Sequence, residues 1–266
     1  MFNGTLFKRT FLSGYKILLV FICVMLMYFL IIAGMYDPKT KENMEKLMET
    51  LPKEMMLAFG FKDADSSFAG FLSSYYYGFI AVVFPMIYGI ITANRLIARL
   101  VDRGSIAYLL STPNKRMKIV LTQALFLILS TTGIYMIVFA AGFLASEKMF
   151  PGELDLNAFL RLNVGALLLQ FAIGGISFFS SCVFNDTKNS LLFGAGIPVG
   201  FYIIKMLSDA GEKLEGFKYF TIFSLFNPQK MVSGEGAALS FAVLLAFAVV
   251  FYSAGVLVFC KKDLAV

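Results

Sequence analysis

Between Asn94 and Lys118 the chain reads NRLIARLVDRGSIAYLLSTPNKRMK, with six Lys or Arg against one acid, Asp102, wedged between two long apolar runs. These side chains carry charge and hydrogen-bond donors, and the chemistry they suit is pairing with another molecule rather than bond breaking. Leu96, Ile97, Leu100 and Val101 recur at helical spacing and leave Arg95, Arg99, Asp102 and Arg103 on the other positions, an amphipathic pattern. Gly104 breaks that helix, Ser105–Leu110 begins a second, and Ser111-Thr112-Pro113 is a turn leading into the next apolar run. A basic helix–break–helix piece tethered at a membrane face on both sides suits docking to a soluble partner.

Other reactive constellations are missing from the sequence. There is no histidine and no tryptophan, so haem sites, His-ligated zinc and serine–histidine chemistry are excluded. Cys23, Cys182 and Cys260 are scattered, odd in number and without metal-ligand spacing, which makes them apolar fillers. No GxxxxGK[ST] phosphate-cradling loop occurs, so the chain does not bind ATP by that route. Ser177, Ser180 and Ser181 have no base beside them for an intramembrane protease. A proton- or sodium-coupled carrier needs a carboxylate at mid-membrane depth, and no apolar run contains one. Lys205 and Arg161 fall near the ends of their runs, where long side chains reach the interface. Gln123, Asn163 and Gln170 are polar notes that fit either bonds to neighbouring helices or an amphipathic substrate path, the former being favoured. Catalytic, cofactor and metal residues are accordingly expected to be none.

The elements that must carry the basic segment follow from composition. The chain has 266 residues, 59% hydrophobic and 15% charged, with mean hydropathy +0.78; ordinary globular chains are about 25% charged. Six apolar runs, at about 17–36, 71–93, 119–144, 159–182, 189–208 and 237–260, each have the ~20 residues a helix needs to cross hydrocarbon. In lipid only closed helices or barrels satisfy their backbone, and these runs are too continuously apolar for barrel strands. The expected fold is an all-α membrane protein of six transmembrane helices, a single membrane domain over 1–266 with both termini in the cytoplasm. With that topology twelve Lys and Arg and three acids face inward, while eleven basic and fourteen acidic residues lie outside, as the positive-inside rule requires. The net charge of +6 therefore marks orientation and contact with anionic lipids, not nucleic acid. The first run is full span length, which argues against a cleaved signal peptide.

Flanking segments are expected to be interfacial. Leu6, Phe7, Phe11, Leu12 and Tyr15 share a face of residues 1–15, which predicts a short helix lying on the inner leaflet before span 1. Residues 37–70 carry a stripe from Met44 to Phe59 divided by Pro52, an outer amphipathic pair. Residues 209–235 predict a re-entrant or interfacial outer hairpin. Lys261 and Lys262 pin the last helix at the inner face.

The stretch GFLSSYYYGFI followed by NRLIARLVDRGSIAYLLSTPNKRMKIVLTQAL resembles ABC-2 type transporter permeases, with Gly104, Ser105, Leu109, Leu110, Ser111, Pro113 and Arg116 on the family's G-S/T-x-x-x-L-L-S/A-x-P-x-x-R pattern. LPKEMMLAFGF, SLFNPQKMVSG and the closing FCKKDL extend the resemblance over nearly the whole chain. It implies a bacterial plasma-membrane permease with an intracellular coupling helix between spans 2 and 3. It also implies pairing with a second permease copy or sister permease and with separate ABC ATP-binding subunits. ATP and Mg would be held by those subunits, with no cofactor in this chain, and the complex would work as an exporter of an apolar or amphipathic substrate such as a peptide, lipid or drug. Arg99, Asp102, Arg103, Gly104 and Ser105 are the expected docking residues. One departure stands out: many relatives carry an acid two or three positions after the Ile97-Ala98 pair, where this chain has Leu100 and reaches its acid only at Asp102. The reading from the residues alone leaves a self-sufficient ion-coupled transporter or channel as the alternative, and an intramembrane enzyme as a third.

Overall fold

The computed structural model describes residues 3–37, 67–111, 115–209, 216 and 219–262. The expected outer amphipathic pair, including Pro52, and the Thr112-Pro113 turn lie outside the described residues. Among the described residues every regular element is helical, and six helices are long and apolar enough to cross a membrane. They are α1 (Gly4–Gly34), a second span built of α2 (Phe68–Tyr75), a π turn (Tyr76–Ile80) and α3 (Ala81–Leu96), then α6 (Arg116–Met149), α7 (Leu156–Val183), α8 (Thr187–Asp209) and α10 (Ala237–Lys261). Between α3 and α6 sit the short helices α4 (Ala98–Asp102) and α5 (Ser105–Leu110); a 3-10 turn (Ile222–Leu225) and α9 (Pro228–Ser233) precede α10.

α7 is the central post. It packs against α10, α3, α8 and α6, and with span 2 it is the most buried of the six. Small residues make the α7–α10 approach close: a Cβ built on Gly174 would lie 2.9 Å from the Tyr252 hydroxyl, and one on Gly175 would lie 3.2 Å from Phe251 Cβ. Such small-residue seams are how helices associate where lipid supplies no hydrophobic drive.

The expected separation of an interfacial helix over residues 1–15 from span 1 does not occur. α1 runs unbroken for 31 residues, about 46 Å at the α-helical rise. Gly14, the glycine in its interior, costs about 1 kcal/mol relative to alanine, too little to end a helix of this length. The first turns lie against α6, where Asn3 N donates to Thr122 Oγ1 at 3.1 Å and the Phe7 and Phe126 rings meet edge-on at 5.6 Å.

Span 2 departs from a plain helix at the π turn. The Ala81 N–H reaches back to the Tyr76 carbonyl, five residues away. That inserted residue lets two consecutive side chains, Tyr76 and Tyr77, be fully buried. Pro85 follows inside α3; having no N–H, it leaves the Ala81 carbonyl without its helical donor. Tyr135 of α6 supplies the replacement by donating its hydroxyl to that carbonyl, and Gln170 Nε2 of α7 donates to the next carbonyl, Val82, at 2.8 Å. A kinked span is thus held by side chains from two neighbours, as membrane prolines require.

At the end opposite the basic segment, the 3-10 turn and α9 pack against α7, α8 and α2 rather than crossing the membrane. Ile222, Phe223, Phe226 and Met231 are buried there. Arg161, expected only to reach the interface, donates from Nε to Met231 O at 2.9 Å and from Nη2 to Val232 O at 2.5 Å. It fastens the end of α9 to the start of α7.

Candidate functional site: the basic cytoplasmic end

Local chemistry builds the segment. α3 ends at Leu96 because Ile97 leaves helical geometry (φ −127°, ψ −67°), a break the continuous apolar stripe in the sequence does not signal. The first N–H beyond it, that of Ala98, is buried and taken by Ser181 Oγ of α7 at 2.9 Å. α4 then runs five residues to Gly104, whose φ of +67° lies in the left-handed region that glycine occupies at no steric cost. α5 starts immediately after. Ile97, Val101 and Ile106 are buried against Val120, Ala124 and Phe259 in a core of their own.

Five further bonds tie the segment to the start of α8 and to α1. Asn94 Nδ2 donates to Ser190 Oγ at 2.9 Å and to Thr187 O at 3.2 Å, and the Thr187 hydroxyl donates to Asp102 Oδ2 at 2.7 Å. Arg95 Nη2 donates to the carbonyl and hydroxyl of Ser13 at 2.7 and 2.5 Å. The α7–α8 turn is capped by Asp186, which accepts from Asn189 N at 2.8 Å; that backbone bond holds its carboxyl below the usual range. Nearby, Lys262 donates to Val183 O at 2.6 Å and to Cys182 O at 3.3 Å, closing the end of α7, and burial pushes its ammonium pKa down. Arg116 Nη1 donates to Lys262 O at 2.7 Å. The described ends of the chain and the two connections therefore form one basic end, the one the positive-inside rule assigns to the cytoplasm.

The five residues singled out from the sequence are adjacent here but not equivalent. Arg99, Asp102, Arg103 and Gly104 are exposed and Ser105 is half-buried. Asp102 is occupied by Thr187, so its carboxylate braces α4 against the α7–α8 turn. Tyr108, which sequence reasoning passed over, is 81% exposed on α5. A single exposed aromatic is ordinary on a surface; Tyr108 is a candidate contact because it lines the same cleft as Arg99 and Arg103, and the signal available in the sequence was an aromatic close to the break at Gly104. The interior polar residues are bound structurally: Asn163 Nδ2 donates to Phe159 O at 2.8 Å, Gln170 to Val82 O, and Gln123 Oε1 accepts from Thr10 Oγ1 at 3.4 Å. Among the described residues no cluster of three His, Cys, Asp or Glu could hold a metal.

A six-helix membrane bundle whose 2–3 connection is an elbow of two short helices is now in view, and the family model described as "ABC-2 family transporter protein" matches residues 7–264. The chain belongs to the ABC-2 family. It is an integral membrane component of an ABC transport system, of a family that in general acts without catalysing a reaction itself and pairs with ABC ATP-binding subunits. Comparison with curated proteins returned no match. In this chain the elbow turns at Gly104, immediately before Ser105, where the positive φ of +67° suits a glycine.

Proposed function

We propose that this chain is the permease half of an ATP-driven exporter in a bacterial plasma membrane, working with separate ATP-binding subunits that carry ATP and Mg, and with a second copy or a sister permease. The observation that carries the reading is the Gly104 elbow, with Arg103, Gly104 and Tyr108 exposed at its tip and its base bonded to α7 and α8. A push on the tip acts on Ile97–Val101, and through Ala98–Ser181 and Asp102–Thr187 on the ends of spans 4 and 5. Movement of an attached ATPase thereby reaches the bundle without a flexible linker. Arg99 and Arg103 supply charge at the docking face, Ser105 opens α5, and Asp102 keeps α4 in register.

The cargo is an apolar or amphipathic molecule such as a peptide, lipid or drug. Supporting this, Arg161 and Lys205 are the charged residues within the six apolar runs 17–36, 71–93, 119–144, 159–182, 189–208 and 237–260, and both lie near run ends, so these runs hold no ion-coupling carboxylate. α1, α8 and α10 keep broad apolar faces uncovered, surface for lipid and for the second permease.

The test is co-expression with the ATP-binding protein encoded beside it, followed by co-purification and ATP turnover in nanodiscs. Gly104→Val and Tyr108→Ala are expected to lower turnover several-fold while the permease still folds by circular dichroism. A permease that isolates alone and moves solute down an ion gradient in liposomes would be a self-sufficient transporter, and the proposal would be wrong.

A further inference from the structure

Between α1 and the α3–α5 segment lies a cleft of about 590 Å³, within the ~300–1,000 Å³ of small-molecule sites. Its mouth is lined by Arg9, Arg95, Arg99 and Arg103, and no Asp or Glu is among its lining residues. Four guanidinium groups around one concavity repel each other. The nearby acid Asp102 lines the adjoining hollow with Arg95, Arg99 and Arg103 and already accepts from Thr187, which leaves room for a further anion. Planar, bidentate donors of this kind match the oxygens of a phosphate.

The walls identify the rest of the ligand. One rail is α1, running from Arg9 through Thr10 and Ser13 to Ile17; the other runs back from Arg99 on α4 to Arg95 on α3 and through Thr92 to Ile91 and Tyr88. Each passes from charge through hydroxyls to apolar side chains over eight to eleven residues, about 12–16 Å of helix. The apolar end opens on the bilayer-facing surface, where Ile91 is 42% exposed. A soluble anion would use the mouth and leave these apolar walls wet. A phospholipid uses both.

We infer that this cleft is a specific site for an anionic phospholipid of the inner leaflet, its phosphate held by Arg9, Arg95, Arg99 and Arg103 and its chains following α1 and α3 into the membrane. Arg95 is already oriented by its bonds to Ser13, so part of the site is set before the lipid arrives. The site overlaps the elbow at Arg99, Arg103 and Tyr108, and Arg9 on α1 is the arginine that lies outside the docking segment, so lipid binding is measured in the absence of any ATPase.

The experiment titrates phosphatidylglycerol, phosphatidylcholine and inorganic phosphate into the purified, delipidated chain, without any ATPase, and counts bound molecules by native mass spectrometry. Phosphatidylglycerol is expected to bind one per chain more tightly than the other two. Arg9→Gln with Arg99→Gln should weaken it by about tenfold or more. Lys8→Gln with Lys16→Gln, equal in charge change and outside the cleft, should leave that one-site binding unaltered, and Arg9→Lys with Arg99→Lys should recover part of the affinity. Equal weakening by the two glutamine pairs would reduce the effect to surface charge and overturn the site. Phosphate binding as tight as phosphatidylglycerol would make it a soluble-anion site. Unaltered lipid binding in Arg9→Gln/Arg99→Gln would overturn the site.

Discussion

Tyr135→Phe tests the account of span 2. Pro85 has no N–H, and the carbonyl it strands, that of Ala81, is met by the Tyr135 hydroxyl within a fully buried layer where Ala81 and Tyr135 are 0% and 2% exposed. Removing that hydroxyl leaves a carbonyl with no donor in a medium that contains no water. An orphaned buried acceptor costs about 1–3 kcal/mol in water-soluble proteins. Side-chain bonds between membrane helices average about 0.6 and reach about 1.7 kcal/mol. The overlap of the two ranges predicts a loss of about 1–1.5 kcal/mol. The decisive measurement is a double-mutant cycle. In Pro85→Ala the new amide bonds the Ala81 carbonyl itself, so Tyr135→Phe in that background should cost only a few tenths of a kcal/mol, a coupling of about 1 kcal/mol. With no tryptophan in the chain, unfolding is best followed by far-ultraviolet circular dichroism during an SDS titration in mixed micelles. Equal costs of Tyr135→Phe in both backgrounds would refute the idea that the hydroxyl stands in for the missing amide.

Other outcomes follow from the same packing. Gly174→Leu should destabilise by about 1–3 kcal/mol through overpacking at the α7–α10 seam, because even a Cβ would meet the Tyr252 hydroxyl at 2.9 Å. Gly133→Ala, with nothing within 4 Å of the added carbon, should be neutral or stabilise α6 by about 0.5–1 kcal/mol; the same titration reads both. Arg161→Leu removes two donors from the end of α9 and should cost about 1–2 kcal/mol, with cleavage between α8 and α10 accelerated in limited proteolysis; unaltered cleavage would deny Arg161 that role. Asp186 has a lowered carboxyl pKa in the folded chain, so its contribution is complete above the unfolded value of about 3.9 and fades as pH falls through the lower folded value. Asp186→Asn keeps an oxygen on the Asn189 N–H but does not titrate, so melts taken from neutral pH to well below about 4 should show wild type losing ground to the variant once the pH is below that value. A constant difference would mean the cap is not what shifts Asp186.

Elements set by one-dimensional chemistry were legible in the chain itself. Six runs long and apolar enough to cross hydrocarbon, an all-α fold and the break at Gly104 all follow from the cost of unpaired backbone in lipid and of a positive φ on any residue with a Cβ. The family resemblance carried by Gly104, Ser105 and Leu109–Ser111 follows from the same turn, and the family match bears it out. What escaped the sequence depends on partners far away in it. The break at Ile97 needs Ser181 to receive the Ala98 amide. The π turn and Pro85 are tolerable because Tyr135 and Gln170 approach from other helices. The continuity of α1 is decided by the face of α6 it lies on. Asp102 looked like a free docking charge until the α7–α8 turn brought Thr187 to it, and the four arginines share a cleft because α1 returns beside α3. Hydropathy and glycine act on each residue in place, so the sequence alone determined the membrane class, the helical fold and the elbow. Hydrogen bonds and shared fields act between residues 54 to 119 positions apart, and only the tertiary structure decided those.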